Sequence, residues 1–227
     1  MQISPLAGDA GFRRYYRTNT VPSLIAVDSP PAKENNSAYV NIAHALQSQM
    51  VRTPIIYAVN EEQGFMLLED FGEHLLLPAL NQQSVDSLYG QAETCLLKIQ
   101  QLQPNKQIFP NYNSQRLRDE MALFPHWFVG ELLGNSLHKD ETAMLERLFT
   151  SLVENALQQP QVLVHRDYHS RNLMLLADGD MGVIDFQDAV SGPVTYDLVS
   201  LLKDCYIRWP ATMVRQRALA FKQRLLA

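Results

Sequence analysis

Two short stretches decide how this chain folds: VHRDYHSRNL at residues 164–173 and VIDFQD at residues 183–188. Each begins in a run of apolar, β-prone residues, which is typical of a short buried strand. The first stretch then brings charged and polar side chains close together, and the second ends its strand on an aspartate. The pattern predicts two strand ends that carry polar side chains to one common site.

Asp167, Asn172 and Asp185 have the order and spacing that phosphoryl transfer requires. That reaction needs a carboxylate to orient the attacking hydroxyl and accept its proton, and oxygen ligands for a magnesium ion beside the triphosphate. We expect Asp167 to be the catalytic base, and Asn172 and Asp185 to be the metal ligands. If His165, Asp167 and Asn172 were ordinary turn residues, the three would coincide by chance in roughly one chain of this length in a hundred.

The residues before Phe71 alternate between short strands and a single helix. Strands are predicted at 12–18, 23–28, 55–59 and 65–69, and a helix at 34–49, where apolar residues recur at helical spacing. The turn at Phe71 and Gly72 is the predicted boundary between a first lobe, 1–71, and a second lobe, 72–227.

The second lobe is predicted to be mainly helical. One helix follows Ser84, which is its expected N-cap. Another covers 117–129 and is interrupted at Pro125. Its Trp127 and Phe128 are expected to line the core or a pocket. A third helix is predicted from an apolar face between 145 and 156. Strands are predicted at 162–164, 173–176 and 181–184, with a turn at 177–180 joining the last two. Helices at 194–206 and 213–226 complete the prediction.

Composition excludes several classes of protein. The formal charge of −5 and the pI near 5.7 give no reason to expect a nucleic-acid or anionic-membrane partner, so a small-molecule or protein partner is expected. No apolar run approaches the ~18 residues that span a bilayer, and we expect a cytoplasmic protein. The two cysteines, Cys95 and Cys205, have no metal-ligand spacing and are expected to be buried thiols.

The two deciding stretches resemble the motifs of the aminoglycoside-phosphotransferase and choline-kinase superfamily. Four other segments are similar to a narrower group, the bacterial kinases that phosphorylate the anomeric hydroxyl of N-acetylmuramate and N-acetylglucosamine in cell-wall recycling. These segments are GDAGFRRYYR at 8–17, DSPPAKE at 28–34, LLEDFG at 67–72 and GPVTYDL at 192–198. The resemblance implies an α+β, two-lobed protein-kinase-like fold, with a small antiparallel sheet and one helix in the first lobe. It also implies ATP and Mg²⁺ as cofactors and a second lobe shortened at its C-terminal end relative to the family.

The resemblance further implies where the nucleotide binds. The loop over the phosphates would contribute Gly8, Asp9, Ala10 and Gly11, and the strand after it would contribute Arg13 and Arg14. Lys33 would come from the turn after the third strand, and Leu68 and Glu69 from the inter-lobe hinge. Kinases normally carry a lysine on the third strand that pairs with the phosphates, but residues 23–28 contain none. Lys33 or an arginine of the second strand would have to replace it.

The acceptor side of the site is expected to use His169, Arg171 and Asp188. A guanidinium suits a carboxylate or sugar hydroxyls, which favours a neutral or anionic acceptor such as an amino sugar. Two other hypotheses stay open: an aminoglycoside- or choline-type kinase, which would need carboxylates around a cationic acceptor, and a catalytically silent nucleotide-binding module. His165 and Asp197 are expected to hold the catalytic loop rather than to react. The sequence leaves the oligomeric state undetermined.

Overall fold

The first lobe is built on one antiparallel sheet. The computed structural model describes residues 2–6 and 11–226, so the predicted phosphate-loop residues Gly8, Asp9 and Ala10 lie outside the described residues. The five strands are arranged in the order β1-β2-β3-β5-β4, with bounds β1 Ile3–Pro5, β2 Arg14–Thr18, β3 Leu24–Asp28, β4 Ile56–Asn60 and β5 Phe65–Glu69. Strand β1 was not predicted, because its three residues carry no alternating pattern.

Helix α1, Asn36–Ser48, packs on one face of this sheet. Val27 lies opposite Met66 in the strand register, and both side chains are buried with Tyr39 and Leu46 of the helix. The helix begins two residues later than predicted because Asn35 is its N-cap, accepting a hydrogen bond from the N–H of Ala38 at 3.0 Å.

The second lobe is mainly helical, as predicted. Its helices are α2 Leu76–Ala79, α3 Val85–Gln101, α4 Ser114–Leu123, α5 Lys139–Gln158, α6 Tyr196–Leu202 and α7 Ala211–Leu226. Ser84 occupies the N-cap position of α3, as predicted, but its side chain makes no capping hydrogen bond. Its hydroxyl instead donates to the carbonyl of Ala79 in the preceding turn, at 2.7 Å. Arg217 and Arg224 of α7 bind the buried Glu93 of α3, at 2.8 and 3.4 Å.

A π-helical segment, Phe124–Leu132, continues directly from α4. Pro125 has no N–H to donate, which accounts for the change of helix type at the predicted interruption. Trp127 and Phe128 are not core residues, since they are 59% and 46% exposed. The predicted apolar face of α5 is also only partly covered, because Phe149 is buried whereas Leu148 is 50% exposed.

Two small antiparallel sheets carry the strand ends singled out above. Strand β6, Gln161–Val164, pairs with β9, Val190–Pro193, and β7, Leu173–Leu175, pairs with β8, Met181–Val183. The predicted turn between β7 and β8 is confirmed, with Gly179 at φ +87°. Strand β9 was missed, because a strand that contains glycine and proline has low β-propensity and forms here by pairing with β6.

The two lobes meet through specific side chains. The ring of Phe71 packs on Gly182 of β8, where a Cβ atom would lie 2.9 Å from it. Arg17 of β2 binds Asp70 at 2.7 Å and the carbonyl of Gly72 at 2.9 Å. One continuous core cluster includes residues of both lobes. The lobe boundary at 71–72 stays a prediction.

Two further expectations concern the surface of the molecule. Cys95 is buried, but Cys205 is exposed because it lies in the turn after α6, so the expectation of two buried thiols was wrong for Cys205. Across the part of the chain that the structure describes, none of the helices has the length and apolar character needed to cross a bilayer.

Candidate active site

The catalytic loop connects β6 to β7 and is held from beneath by Asp197 of α6. The N–H groups of His165 and Arg166 donate to its two carboxylate oxygens, at 2.7 and 3.0 Å. Burial raises the pKa of Asp197 to about 7, although both hydrogen bonds act in the opposite direction. The prediction that Asp197 holds the loop is confirmed.

His165 is a structural residue, as predicted. Its Nε2 atom lies 3.0 Å from the carbonyl oxygen of Ile184, so Nε2 carries the proton and donates. Burial lowers the pKa of His165 to about 4, which keeps the ring neutral. The ring therefore ties the catalytic loop to the strand that leads to Asp185. Further along the loop, the N–H of Ser170 donates to the buried Asp204 at 2.9 Å.

Asp167 is solvent-accessible at the turn of this loop. Partial desolvation raises its pKa, and the nearby carboxylate of Asp185 raises it further, while Arg166 and His169 act in the opposite direction. A carboxylate that reaches solvent and binds a proton more readily than usual is suited to accept one from a hydroxyl.

Asn172 and Asp185 lie side by side, as their predicted role requires. The amide nitrogen of Asn172 is 3.3 Å from Oδ2 of Asp185 and 3.0 Å from the main-chain oxygen of Asp167. The backbone of Asp185 is in the left-handed region, with φ 63°. Its side chain therefore does not continue the alternating directions of the side chains in β8. The other oxygen, Oδ1, accepts a 2.6 Å hydrogen bond from Gln187.

The donor set at this point fits magnesium. Carboxylate and amide oxygens are hard ligands, and Mg²⁺ is usually held by one or two protein groups together with phosphates and waters. Among residues 2–6 and 11–226, no cluster of three or more His, Cys, Asp or Glu side chains could hold a metal.

The three basic nucleotide candidates have different surroundings. Arg13 is buried and forms an ion pair with Glu34 at 3.1 Å, and its guanidinium lies 5.3 Å from the ring of Tyr39. Arg14 is exposed and lies opposite Asp28 in the strand register. Lys33 is exposed, 5.2 Å from the ring of Phe12.

Glu34 was missed as a member of this group. Besides binding Arg13, it accepts a hydrogen bond from the N–H of Phe12 at 3.1 Å, just after the predicted phosphate loop. A Cβ atom on Gly11 would lie 3.7 Å from the same carboxylate, so Gly11 runs close beside it. The two positions, Arg13 and Glu34, are far apart in sequence, and nothing local in the sequence links them.

The hinge candidates Leu68 and Glu69 belong to β5. The side chain of Leu68 is buried against α1, and the N–H of Glu69 donates to the carbonyl of Ile55 at 2.8 Å. The carboxylate of Glu69 binds Arg52 at 3.1 Å. The N–H of Glu69 is therefore already used within the sheet.

The acceptor candidates fall into two groups. His169 and Arg171 both contact the ring of Tyr206. The ring centroids of His169 and Tyr206 are 5.3 Å apart, and the guanidinium of Arg171 lies 4.9 Å from the Tyr206 centroid. Tyr206 is 45% exposed and was not singled out from the sequence. Asp188 lies on the other side of the loop, where it is exposed and 4.0 Å from the guanidinium of Arg166.

Comparison with known proteins gives a consistent family assignment. A family model described as "Phosphotransferase enzyme family" matches residues 2–225. A protein of Pseudomonas putida called N-acetylmuramate/N-acetylglucosamine kinase is 43% identical over 213 residues, which cover 93% of this chain and 62% of that protein. A protein of Neisseria meningitidis with the same name is 34% identical over 227 residues, covering 97% of this chain and 67% of that protein. The chain thus spans about 62% of the length of the first of these relatives.

Solved structures agree on the fold. An ADP-bound aminoglycoside phosphotransferase, APH(2'')-Ib, matches with a TM-score of 0.70 at 16% identity, covering 98% of this chain and 77% of that one. The choline kinase LicA from Streptococcus pneumoniae matches with a TM-score of 0.68 at 13% identity, covering 97% and 74%. The predicted two-lobed α+β fold is confirmed.

Proposed function

We propose, because this chain belongs to the phosphotransferase enzyme family, that it transfers the γ-phosphate of ATP to the anomeric hydroxyl of N-acetylmuramate or N-acetylglucosamine. The observation that carries the proposal is the juxtaposition of Asp167, Asn172 and Asp185 on two neighbouring strand ends. The shared name of the relatives supports the choice of acceptor.

The chemistry assigned to this chain is proton transfer and alignment. Asp167 would accept the proton of the anomeric hydroxyl as its oxygen attacks the γ-phosphorus, and ADP leaves from the opposite side. Asn172 and Asp185 would hold Mg²⁺, which neutralises charge on the triphosphate when it is bound. Asp197 and His165 keep the loop in the position that this alignment needs.

Arg13 is the best candidate to replace the absent third-strand lysine. Of Arg13, Arg14 and Lys33, Arg13 alone is buried in an ion pair. Its partner Glu34 also accepts a hydrogen bond from the N–H of Phe12, just after the predicted phosphate loop. This arrangement parallels the lysine–glutamate ion pair that kinases use to position phosphates. Arg14, Lys33 and the loop residues 8–11 would add weaker contacts, and the hinge at 68–69 would lie beside the adenine.

His169, Arg171 and Asp188 are proposed to contact the acceptor. Arg171 and His169, packed on the exposed ring of Tyr206, form a surface suited to sugar hydroxyls or a carboxylate. We place the protein in the cytoplasm, where ATP is available. An aminoglycoside- or choline-type acceptor is the second candidate, which the kinase-like fold alone supports.

A panel of acceptors tests the proposal. The chain is incubated with Mg·ATP and, in turn, amino sugars, choline and an aminoglycoside, and phosphorus NMR identifies the phosphorylated position. We expect a sugar 1-phosphate that Asp167→Asn abolishes. Transfer to choline or the aminoglycoside would instead support the second candidate. Mg·ATP binding by calorimetry without transfer to any acceptor would identify a silent nucleotide-binding module.

A further inference from the structure

Arg166, the residue just before Asp167, has its side chain bound to a carboxylate on another helix. Its backbone is left-handed, with φ 80°, and its guanidinium binds the carboxylate of Glu120 on α4. The guanidinium also lies 5.7 Å from the ring centroid of Tyr112 and 4.0 Å from Asp188. The side chain of Arg166 is only 29% exposed. One arginine thus connects α4, the catalytic loop and an acceptor candidate.

Glu120 is itself held by two tyrosines. The hydroxyl of Tyr112 donates to its carboxylate, and the hydroxyl of Tyr196 lies 3.3 Å from the same oxygen. We call Tyr112, Glu120, Arg166 and Tyr196 the Glu120 cluster. Three donors converge on one carboxylate, which fixes its position better than a single surface ion pair would.

The base of the Glu120 cluster is rigid. Tyr112 is 1% exposed, and its N–H donates to the carbonyl of Ser191 in β9 at 2.7 Å. Its ring covers Gly192, where a Cβ atom would lie 3.1 Å from the ring. Since β9 pairs with β6, the strand that leads into the catalytic loop, Tyr112 and Arg166 rest on the same small sheet.

Helix α4 packs on the sheet that leads into the loop through Leu117, which contacts the cluster of Tyr112, Val164 and Val190. None of its residues is buried, and its Arg118 points to α5, where it binds Glu146 at 3.1 Å. Glu120 therefore provides a specific connection from α4 to the catalytic loop.

We propose that Glu120 is a positioning residue for phosphoryl transfer, acting through Arg166 to hold the turn that presents Asp167. The inference rests on the proposed function for its catalytic consequence. Without Glu120 the guanidinium would be free to turn toward Asp167 and to move closer to Asp188, which lies 4.0 Å away. Glu120 gives Arg166 a fixed partner that limits this movement, so the carboxylate of Asp167 stays available.

The test compares Glu120→Gln with Asp119→Asn, a matched control. Asp119 is the preceding residue of α4, is exposed and hydrogen-bonds only to Gln115 among the described residues. We expect Glu120→Gln to lower kcat about 10- to 100-fold while KM for Mg·ATP stays within about twofold, because displacing a reacting group by about 1 Å costs on that order. Glu120→Asp, which keeps the charge, should recover part of the rate, and Asp119→Asn should match the unsubstituted protein.

Hydrogen exchange of a peptide covering residues 165–172 gives a readout that needs no turnover. We expect exchange at least about tenfold faster in Glu120→Gln than in Asp119→Asn. If the unsubstituted chain transfers phosphate to no acceptor, the proposed function fails, and this exchange still decides whether Glu120 positions the loop. If Glu120→Gln does not fold, the comparison is made with Glu120→Asp, for which we expect a smaller increase in exchange. Exchange and kcat equal to those of the control would overturn the inference.

Discussion

The ring of Tyr39 in α1 packs on the ring of Phe186, the residue after the proposed metal ligand Asp185, with centroids 4.9 Å apart and an interplanar angle of 33°. Tyr39 is 4% exposed, and its other neighbour is the guanidinium of Arg13. The helix of the first lobe is thus in direct contact with the segment after β8 that carries the proposed metal ligand. Movement of α1 would be transmitted to Asp185 through these two rings.

Tyr39→Ala should weaken Mg·ATP binding about tenfold and destabilise the fold by about 3–5 kcal/mol, because it leaves a cavity between the lobes. Tyr39→Phe keeps the ring and should change nucleotide affinity less than about twofold. Calorimetry with Mg·ATP and thermal unfolding measure the two effects. Equal affinities in both variants would show that the ring contact does not transmit α1 position to the site.

Arg13→Ala should reduce Mg·ATP affinity at least about tenfold, if Arg13 replaces the lysine that residues 23–28 lack. It also leaves Glu34 as a buried carboxylate without its partner, which costs about 3–5 kcal/mol of stability. Arg14→Ala is the matched control on the exposed side, where stability should change by less than about 0.5 kcal/mol.

A second substitution, at Glu34, distinguishes the effect on nucleotide affinity from the effect on the stability of the fold. Glu34→Gln removes the charge of the partner but keeps its length, so affinity should fall through misplacement of Arg13. Nucleotide affinity that follows Arg14 rather than Arg13 would contradict the assignment.

Two buried groups beneath the catalytic loop should make opposite contributions to stability between pH 4 and pH 6.5. His165 has its pKa lowered from 6.5 to about 4, so its contribution is complete above pH 6.5 and is lost as pH falls toward 4. Asp197 has its pKa raised from 3.8 to about 7, so its contribution is complete below pH 3.8 and is lost as pH rises through 7.

Replacing His165 by Gln should isolate the contribution of His165 to stability, because Asp197 is present in both proteins. The stability of the unsubstituted protein minus that of His165→Gln should fall by about 3 kcal/mol from pH 6.5 to pH 4. Urea denaturation at several pH values measures this difference. A pH-independent difference would mean that His165 is not held neutral by burial.

The sequence predicted the catalytic loop well because the information there is local. Asp167 and Asn172 lie within one loop, and the following hairpin places Asp185 beside Asn172 by simple strand pairing. Short-range spacing together with strand signals was sufficient for these residues.

Contacts between distant segments could not be predicted. Glu120 lies 46 positions before Arg166, on a helix whose exposed pattern gives no sign of a buried partner. Strand β9 forms only because β6 is beside it. In both cases a contact between distant segments decides the outcome, and no local pattern shows it.

Gln187 should tune the metal site without serving as a ligand. Its amide donates to Oδ1 of Asp185 at 2.6 Å and so orients the carboxylate, leaving Oδ2 next to Asn172. Outer partners of this kind typically contribute a factor of 10 to 100 in metal affinity. We therefore expect Gln187→Ala to raise the Mg²⁺ concentration needed for half-maximal ATP binding about tenfold, and Asp185→Asn to abolish the Mg²⁺ dependence.

Asp178→Asn is the control for the charge change, because Asp178 is an exposed carboxylate in the turn between β7 and β8. It should leave the Mg²⁺ dependence of ATP binding unchanged. Mn²⁺ can replace Mg²⁺ as a paramagnetic probe, so that metal occupancy in the ATP complex is measured apart from catalysis. If Gln187→Ala binds Mn²⁺·ATP as tightly as the unsubstituted protein, the hydrogen bond to Asp185 does not orient the carboxylate for the metal. Weaker binding in Asp178→Asn would point instead to a general effect of charge on the affinity of the site.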